Sequence, residues 1–168
     1  MKYLLTGGGT GGHVYPALAL ADEIARQQPS ASFLYVGLAN KLESWVVPKR
    51  GFPIKFVRAR ACPRSASPWA WFMFAAILAV GIVCACFLLL RYRPNLIIST
   101  GCLVSAPIMF AHVSLKSFGS ALSKVLIFER SAHPGMLNQA VGRMADRIGV
   151  AFEQAGRWFD MRRVAVVG

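Results

Sequence analysis

Acidic residues are scarce in this chain: 7 Asp and Glu stand against 19 Lys and Arg, leaving a formal charge of +12 on 168 residues. Cysteines are few, and Cys62, Cys84, Cys86 and Cys102 form no C-x-x-C pair and have no histidine set beside them. That spacing excludes a zinc site and a disulfide framework and points to a reducing, cytoplasmic compartment. No other metal-ligand cluster is visible, so neither a metal nor a cofactor is expected. Between Met1 and the glycines that begin at Gly7 there is no room for the apolar core of a signal peptide, so secretion is not expected. Nucleic-acid binding lacks its marks as well, since no recognition helix, RNP motif or zinc-finger spacing accompanies the basic residues. With 55% hydrophobic residues beside that positive charge, the expected partner is an anionic apolar surface. This length accommodates one domain with a real core, and not two.

Short β-rich runs alternate with helix-sized segments. Lys2 to Thr6, Ser32 to Gly37, Ile54 to Arg58, Leu96 to Ser99, Lys124 to Phe128, Arg147 to Ala151 and Val164 to Val167 read as strands. The alternation predicts βαβ units: an α/β, Rossmann-like, mostly parallel sheet with helices on both faces. Ligands of such sheets collect at the carboxyl ends of the strands. Pro16 is placed near the start of the first helix, with Leu18, Ala21 and Ala25 at helical spacing behind it. Ala59 to Pro68, rich in Pro, Ser and Arg, is the nearest thing to a linker.

The sequence Gly7-Gly8-Gly9-Thr10-Gly11-Gly12-His13 follows the first strand and opens the first helix, where bare backbone lets a phosphate or sugar approach a helix N-terminus. It contains a formal G-x-G-x-x-G. The acid that a dinucleotide site needs is missing, because the second strand ends Tyr35-Val36-Gly37-Leu38, and His13 stands where a Walker lysine would. A histidine at such a helix start suits general-base work near neutral pH. Its bland alternative is a loop histidine that caps or packs.

The block GGGTGGHVYPALALA resembles the N-terminal signature of the MurG-like glycosyltransferases, glycosyltransferase family 28. Leu42-Glu43 through Val47-Pro48-Lys49 and Gly51 is similar to that family's second loop, GCLVSAP (Gly101 to Pro107) to its serine-containing glycine loop, and FERSAHPGMLN (Phe128 to Asn138) to its acidic segment. Ala145-Asp146-Arg147, Val150-Ala151-Phe152-Glu153 and Val166-Val167-Gly168 continue in register. Phe128, Arg130 and Ser131 replace the family's His, Gln and Asn around Glu129, and Cys102 and Leu103 replace a glycine and an aromatic.

The resemblance implies the single N-terminal, acceptor-side lobe of a GT-B fold over residues 1–168, with the C-terminal donor-binding domain absent and expected as a separate partner chain. It implies transfer of N-acetylglucosamine from UDP-N-acetylglucosamine to a polyprenyl-pyrophosphate-linked sugar. By that resemblance His13 is the base, Thr10, Gly11, Gly12 and Ser131 face the donor and its diphosphate, and Glu129, Ser105, Asn138 and Glu43 face the acceptor. The residues also have bland alternatives. Glu129 is a helix cap or a partner of Arg130, Ser105 caps the following helix, Glu43 is a solvated helix acid, and His112 and His133 are structural or solvated, with contact to substrate left open for His133 in its loop. Two other functions stay open: the acceptor subunit of a split transferase, and a non-catalytic membrane adaptor.

From Trp69 to Leu90 every residue is uncharged, long enough to cross a bilayer by count. A span would separate strands of one sheet, and basic residues flank both ends: Lys49, Arg50, Lys55, Arg58, Arg60 and Arg64 before, Arg91 and Arg93 after. The expectation is therefore a helix or bent helical pair lying in the interface as a monotopic anchor, on the cytoplasmic face of the membrane, with Trp69 and Trp71 at headgroup level. A buried crossover helix and a true span of unusual topology are the alternatives. Cys84 and Cys86 are expected to pack as small hydrophobes.

Overall fold

The computed structural model describes residues 1–63, 67–119 and 123–167; Arg64 of the basic flank and the closing Gly168 lie outside them. Seven strands, β1 (Lys2–Thr6), β2 (Ser32–Gly37), β3 (Ile54–Phe56), β4 (Leu96–Ser99), β5 (Lys124–Glu129), β6 (Arg147–Val150) and β7 (Val164–Val166), form one sheet in the order β3-β2-β1-β4-β5-β6-β7. Every pairing is parallel. The helices are α1 (Gly11–Gln27), α2 (Glu43–Lys49), α3 (Pro68–Tyr92), α4 (Ser105–Ser117), α5 (Met136–Gly142) and α6 (Glu153–Gly156).

Parallel strands covered on both faces bury consecutive residues, and Leu4, Leu5, Ile97 and Ile98 are all at most 1% exposed. Alternation along β1 and β2 sorts them by side: Leu5 and Tyr35 join Val14, Leu18 and Val47 from α1 and α2. Leu4 and Val36 join Ala85, Ile108 and Val141 from α3, α4 and α5. Four expected strands need correction at their ends. β3 stops at Phe56, not Arg58, because its partner β2 ends at Gly37 opposite Phe56. β6 and β7 end one residue early, while β5 gains Glu129, which pairs with Val150. Pro16 is also deeper than expected, inside α1 in its second turn, where its missing N–H leaves the Gly12 carbonyl without an i+4 donor.

α3 is one helix of 25 residues, opened by Pro68 in its first turn and closed by Arg93 in the left-handed region (φ 51°) ahead of Pro94. The buried-crossover alternative is overturned: only 17% of its most apolar stretch is buried. Its buried residues, Gly81, Ala85 and Leu89, fall on one side of its second half. Gly81 allows the closest approach, since a Cβ there would strike the Arg58 carbonyl oxygen and come within 3.3 Å of Pro107 on α4. Gly81→Ala is expected to lower stability by about 1–3 kcal/mol through overpacking against backbone that cannot yield. A urea unfolding midpoint in mild detergent measures it, and an unchanged midpoint refutes it.

Candidate active site

The sheet reverses its winding between β1 and β4, so a crevice opens outside their carboxyl ends. Two glycine-bearing loops meet there. The loop after β1 turns at Gly9 (φ 79°), and the loop after β4 turns at Gly101 and Cys102 (φ 92° and 81°). Left-handed backbone is ordinary for glycine and strained for Cys102. Burial pushes the Cys102 thiol up from its ordinary value, which keeps it neutral beside Gly9.

The first loop is braced from below. Glu43, at the start of α2, is fully buried, and its carboxylate accepts from Gly9 N–H (2.9 Å) and Leu38 N–H (3.0 Å). A Cβ on Gly8 or Gly37 would meet that side chain, so two glycines make room for one carboxylate. Buried Tyr35 adds a second brace by donating its hydroxyl to the Gly7 carbonyl at 2.6 Å. Burial, with the Glu43 charge as the next cause, raises the Tyr35 pKa and keeps that donor protonated.

Thr100 fixes His13 from two directions. Its hydroxyl donates to the His13 carbonyl (2.7 Å), and its own carbonyl lies 2.7 Å from His13 Nδ1. A carbonyl can only accept, so Nδ1 carries a proton, and in the neutral ring Nε2 is the nitrogen with the lone pair. His13 lines a cavity of about 350 Å³ with Glu129, Arg130, Ser131, His133 and Asn138. The Glu129 carboxylate accepts from Ser131 N–H and from Asn138 Nδ2, each at 2.8 Å. Asn138 Oδ1 is buried without a partner among the described residues.

The cavity thus brings together His13, Glu129, Ser131 and Asn138. Thr10 is the exposed N-cap of α1, its side chain making no capping bond, and Gly11 and Gly12 form the first turn, whose N–H groups have no intrahelical acceptor. Glu43 and Ser105 require correction. Both are completely buried and engaged with backbone, Ser105 Oγ donating to the Gly101 carbonyl at 2.9 Å, so they shape the loops and present no oxygen to a ligand. The solvated-acid alternative for Glu43 and the capping alternative for Ser105 fall with the same observation, since Val104 is the N-cap of α4. Glu129 is no cap or Arg130 partner either: Arg130 reaches across to Gly12, where a Cβ would strike its guanidinium. His112 is buried on α4, and burial, with Lys116 as the next cause, pushes its pKa down. His133 lies against Trp158, ring centroids 6.4 Å apart.

Thr100 and Arg130 are the two residues that sequence reasoning missed. Thr100 had a faint signal, since it directly precedes the second glycine loop. Arg130 was legible only as a neighbour of Glu129.

A parallel sheet with two glycine loops and a helix N-terminus at its switch point defines a Rossmann-like lobe. Residues 3–150 match the glycosyltransferase family 28 N-terminal domain, and the chain belongs to that family. It is 35% identical over 167 residues to the UDP-N-acetylglucosamine–N-acetylmuramyl-(pentapeptide) pyrophosphoryl-undecaprenol N-acetylglucosamine transferase of Alkaliphilus oremlandii, covering 99% of this chain and 44% of that protein. Against the protein of the same name from Desulforudis audaxviator it is 37% identical over 171 residues, covering 100% and 43%. The chain therefore spans less than half the length of these curated relatives. The crystal structure of Acinetobacter baumannii MurG superposes with a TM-score of 0.77 at 22% identity, over 99% of this chain and 45% of that one, which shows the shared fold.

Proposed function

We propose that this chain is the acceptor-side lobe of a transferase that moves N-acetylglucosamine from UDP-N-acetylglucosamine to a polyprenyl-pyrophosphate-linked sugar in cell-envelope glycan synthesis. The single observation that carries the reading is the His13–Thr100 pair, which leaves Nε2 as a base over a polar cavity. An acceptor hydroxyl attacks the anomeric carbon, the bond from that carbon to the diphosphate oxygen breaks, and Nε2 takes the hydroxyl proton. Charge growing on the departing diphosphate faces the free N–H groups of Gly11 and Gly12 and the guanidinium of Arg130. Glu129 and Asn138 hold each other in place below the cavity, which fixes the Ser131 turn through its N–H. A donor-binding lobe completes the cleft. The test is transfer of radiolabelled N-acetylglucosamine to a lipid extract by membranes holding this chain with a family donor-binding lobe. Product that needs both lobes supports the reading, whereas lipid binding without transfer in any combination leaves the adaptor alternative.

Membrane attachment belongs to the same proposal. Phe72, Val80, Val83, Phe87 and Leu90 are exposed at helical spacing on α3, opposite Gly81, Ala85 and Leu89. The stripe runs the length of the helix while the other side packs on the lobe, which favours a helix lying flat in the interface over one that crosses. Each of Phe72→Ser and Phe87→Ser is expected to weaken binding to anionic vesicles about tenfold or more, from the apolar burial lost. Sedimentation with vesicles measures this, and an unchanged partition counts against the flat orientation.

A further inference from the structure

Next to the polar cavity lies a second one of about 380 Å³, and its chemistry is different. Phe74 and Leu78 of α3 form one wall, Ala106 and Phe110 of α4 the floor, and Ala140 of α5 the far side. Among the described residues its one charged lining residue is Arg60, on the segment that leads from β3 towards α3. Leu103, Met136 and Leu137 line both cavities, so the two adjoin across these side chains. The wall formed by α3 is the inner side of the helix whose outer stripe faces lipid in the proposal above. The groove therefore joins the membrane helix to the base.

We propose that this groove holds the first isoprene units of the lipid-linked acceptor, lifting them out of the bilayer while the acceptor's own diphosphate pairs with Arg60 at the groove's edge. The inference rests on the acceptor reading in "Proposed function" and names a subsite for it. Two features select this occupant. An apolar trough that adjoins a polar, cation-bearing cavity matches a molecule with a hydrocarbon chain fixed directly to a diphosphate. A free sugar diphosphate would leave the trough wet. Capture of the proximal units also fixes the distance from diphosphate to base, which membrane anchoring alone does not.

The test uses the full chain in dodecylmaltoside with farnesyl diphosphate bearing a benzophenone on its terminal isoprene, competed by unmodified farnesyl diphosphate. The expected result is competable cross-linking to Phe74, Leu78 or Phe110. Ala106→Trp, which fills the floor, and Ala140→Trp, which fills the far side, are each expected to cut that cross-linking about tenfold or more while vesicle binding through the outer stripe stays unchanged. Circular dichroism verifies that each variant is folded, and the wild-type cross-link positions stand independently of both. Competable cross-links confined to Phe72, Val83 and Phe87 overturn the groove and leave the acceptor reading intact. Undiminished cross-linking in both folded variants overturns the groove as well. No competable cross-link anywhere overturns the groove and the acceptor reading together.

Discussion

His13→Ala, in this chain paired with a donor-binding lobe, is expected to lower transfer by about 10²–10⁴-fold, the usual worth of a positioned general base. The loss is expected in kcat, with the KM for UDP-N-acetylglucosamine little changed, because in the proposed reaction Nε2 acts on the acceptor hydroxyl. Added imidazole is expected to restore part of the rate to His13→Ala, since the space it vacates adjoins the cavity. His13→Gln is not expected to be rescued, because the amide fills that space without supplying a base. Thr100→Val isolates the positioning role: it removes the hydroxyl that donates to the His13 carbonyl and keeps the carbonyl that orders Nδ1. A loss of about tenfold or less is expected there, in proportion to one neutral hydrogen bond. Activity of His13→Ala within threefold of the parent, or rescue of both His13 variants alike, refutes the base assignment.

The sheet was legible because its strands are bounded by residues that stop strands. β1, β2 and β4 run from end to end as read, each ending where glycine or a polar loop begins. β3 was overread because Val57 and Arg58 continue the local pattern, while strand length is decided by the partner, and β2 had already ended. β5 was underread for the converse reason, as a charged Glu129 looks like a loop residue until Val150 pairs with it. Within the site, His13 and Glu129 could be found because each stands in a distinctive local string. Glu43 was misjudged because burial of an acid at a helix start arises from two loops, after β1 and after β2, that meet only in the folded sheet. Arg130 was misjudged because neighbouring residues on a strand and its continuation point to opposite sides, so it turns away from Glu129 and towards α1. In α3 periodicity says little, for a helix apolar all round hides its packing side. The small residues Gly81 and Ala85 mark that side, being what close approach to α4 requires.

Glu43→Ala is expected to be the most damaging single change to stability. It removes a buried carboxylate that satisfies two backbone donors, Gly9 N–H and Leu38 N–H, and leaves both without an acceptor. Each such loss costs about 1–3 kcal/mol, so the variant is expected to lose about 2–6 kcal/mol, a large share of the 5–15 kcal/mol that holds a typical domain. Glu43→Gln keeps the shape and one acceptor but turns an amide N–H₂ towards the other donor, and about half that loss is expected. Gly8→Ala reaches the same carboxylate from above, since the added methyl would occupy the space of Glu43 Oε1. The two changes therefore strike one interaction, and the double variant is expected to be less destabilised than the sum of the singles by at least about 1 kcal/mol. Urea unfolding of the four chains in mild detergent measures that coupling. Additive losses would separate the carboxylate from the glycine loop and leave the shape of that turn to Tyr35 and Thr100, which hold Gly7 and His13 at its two ends.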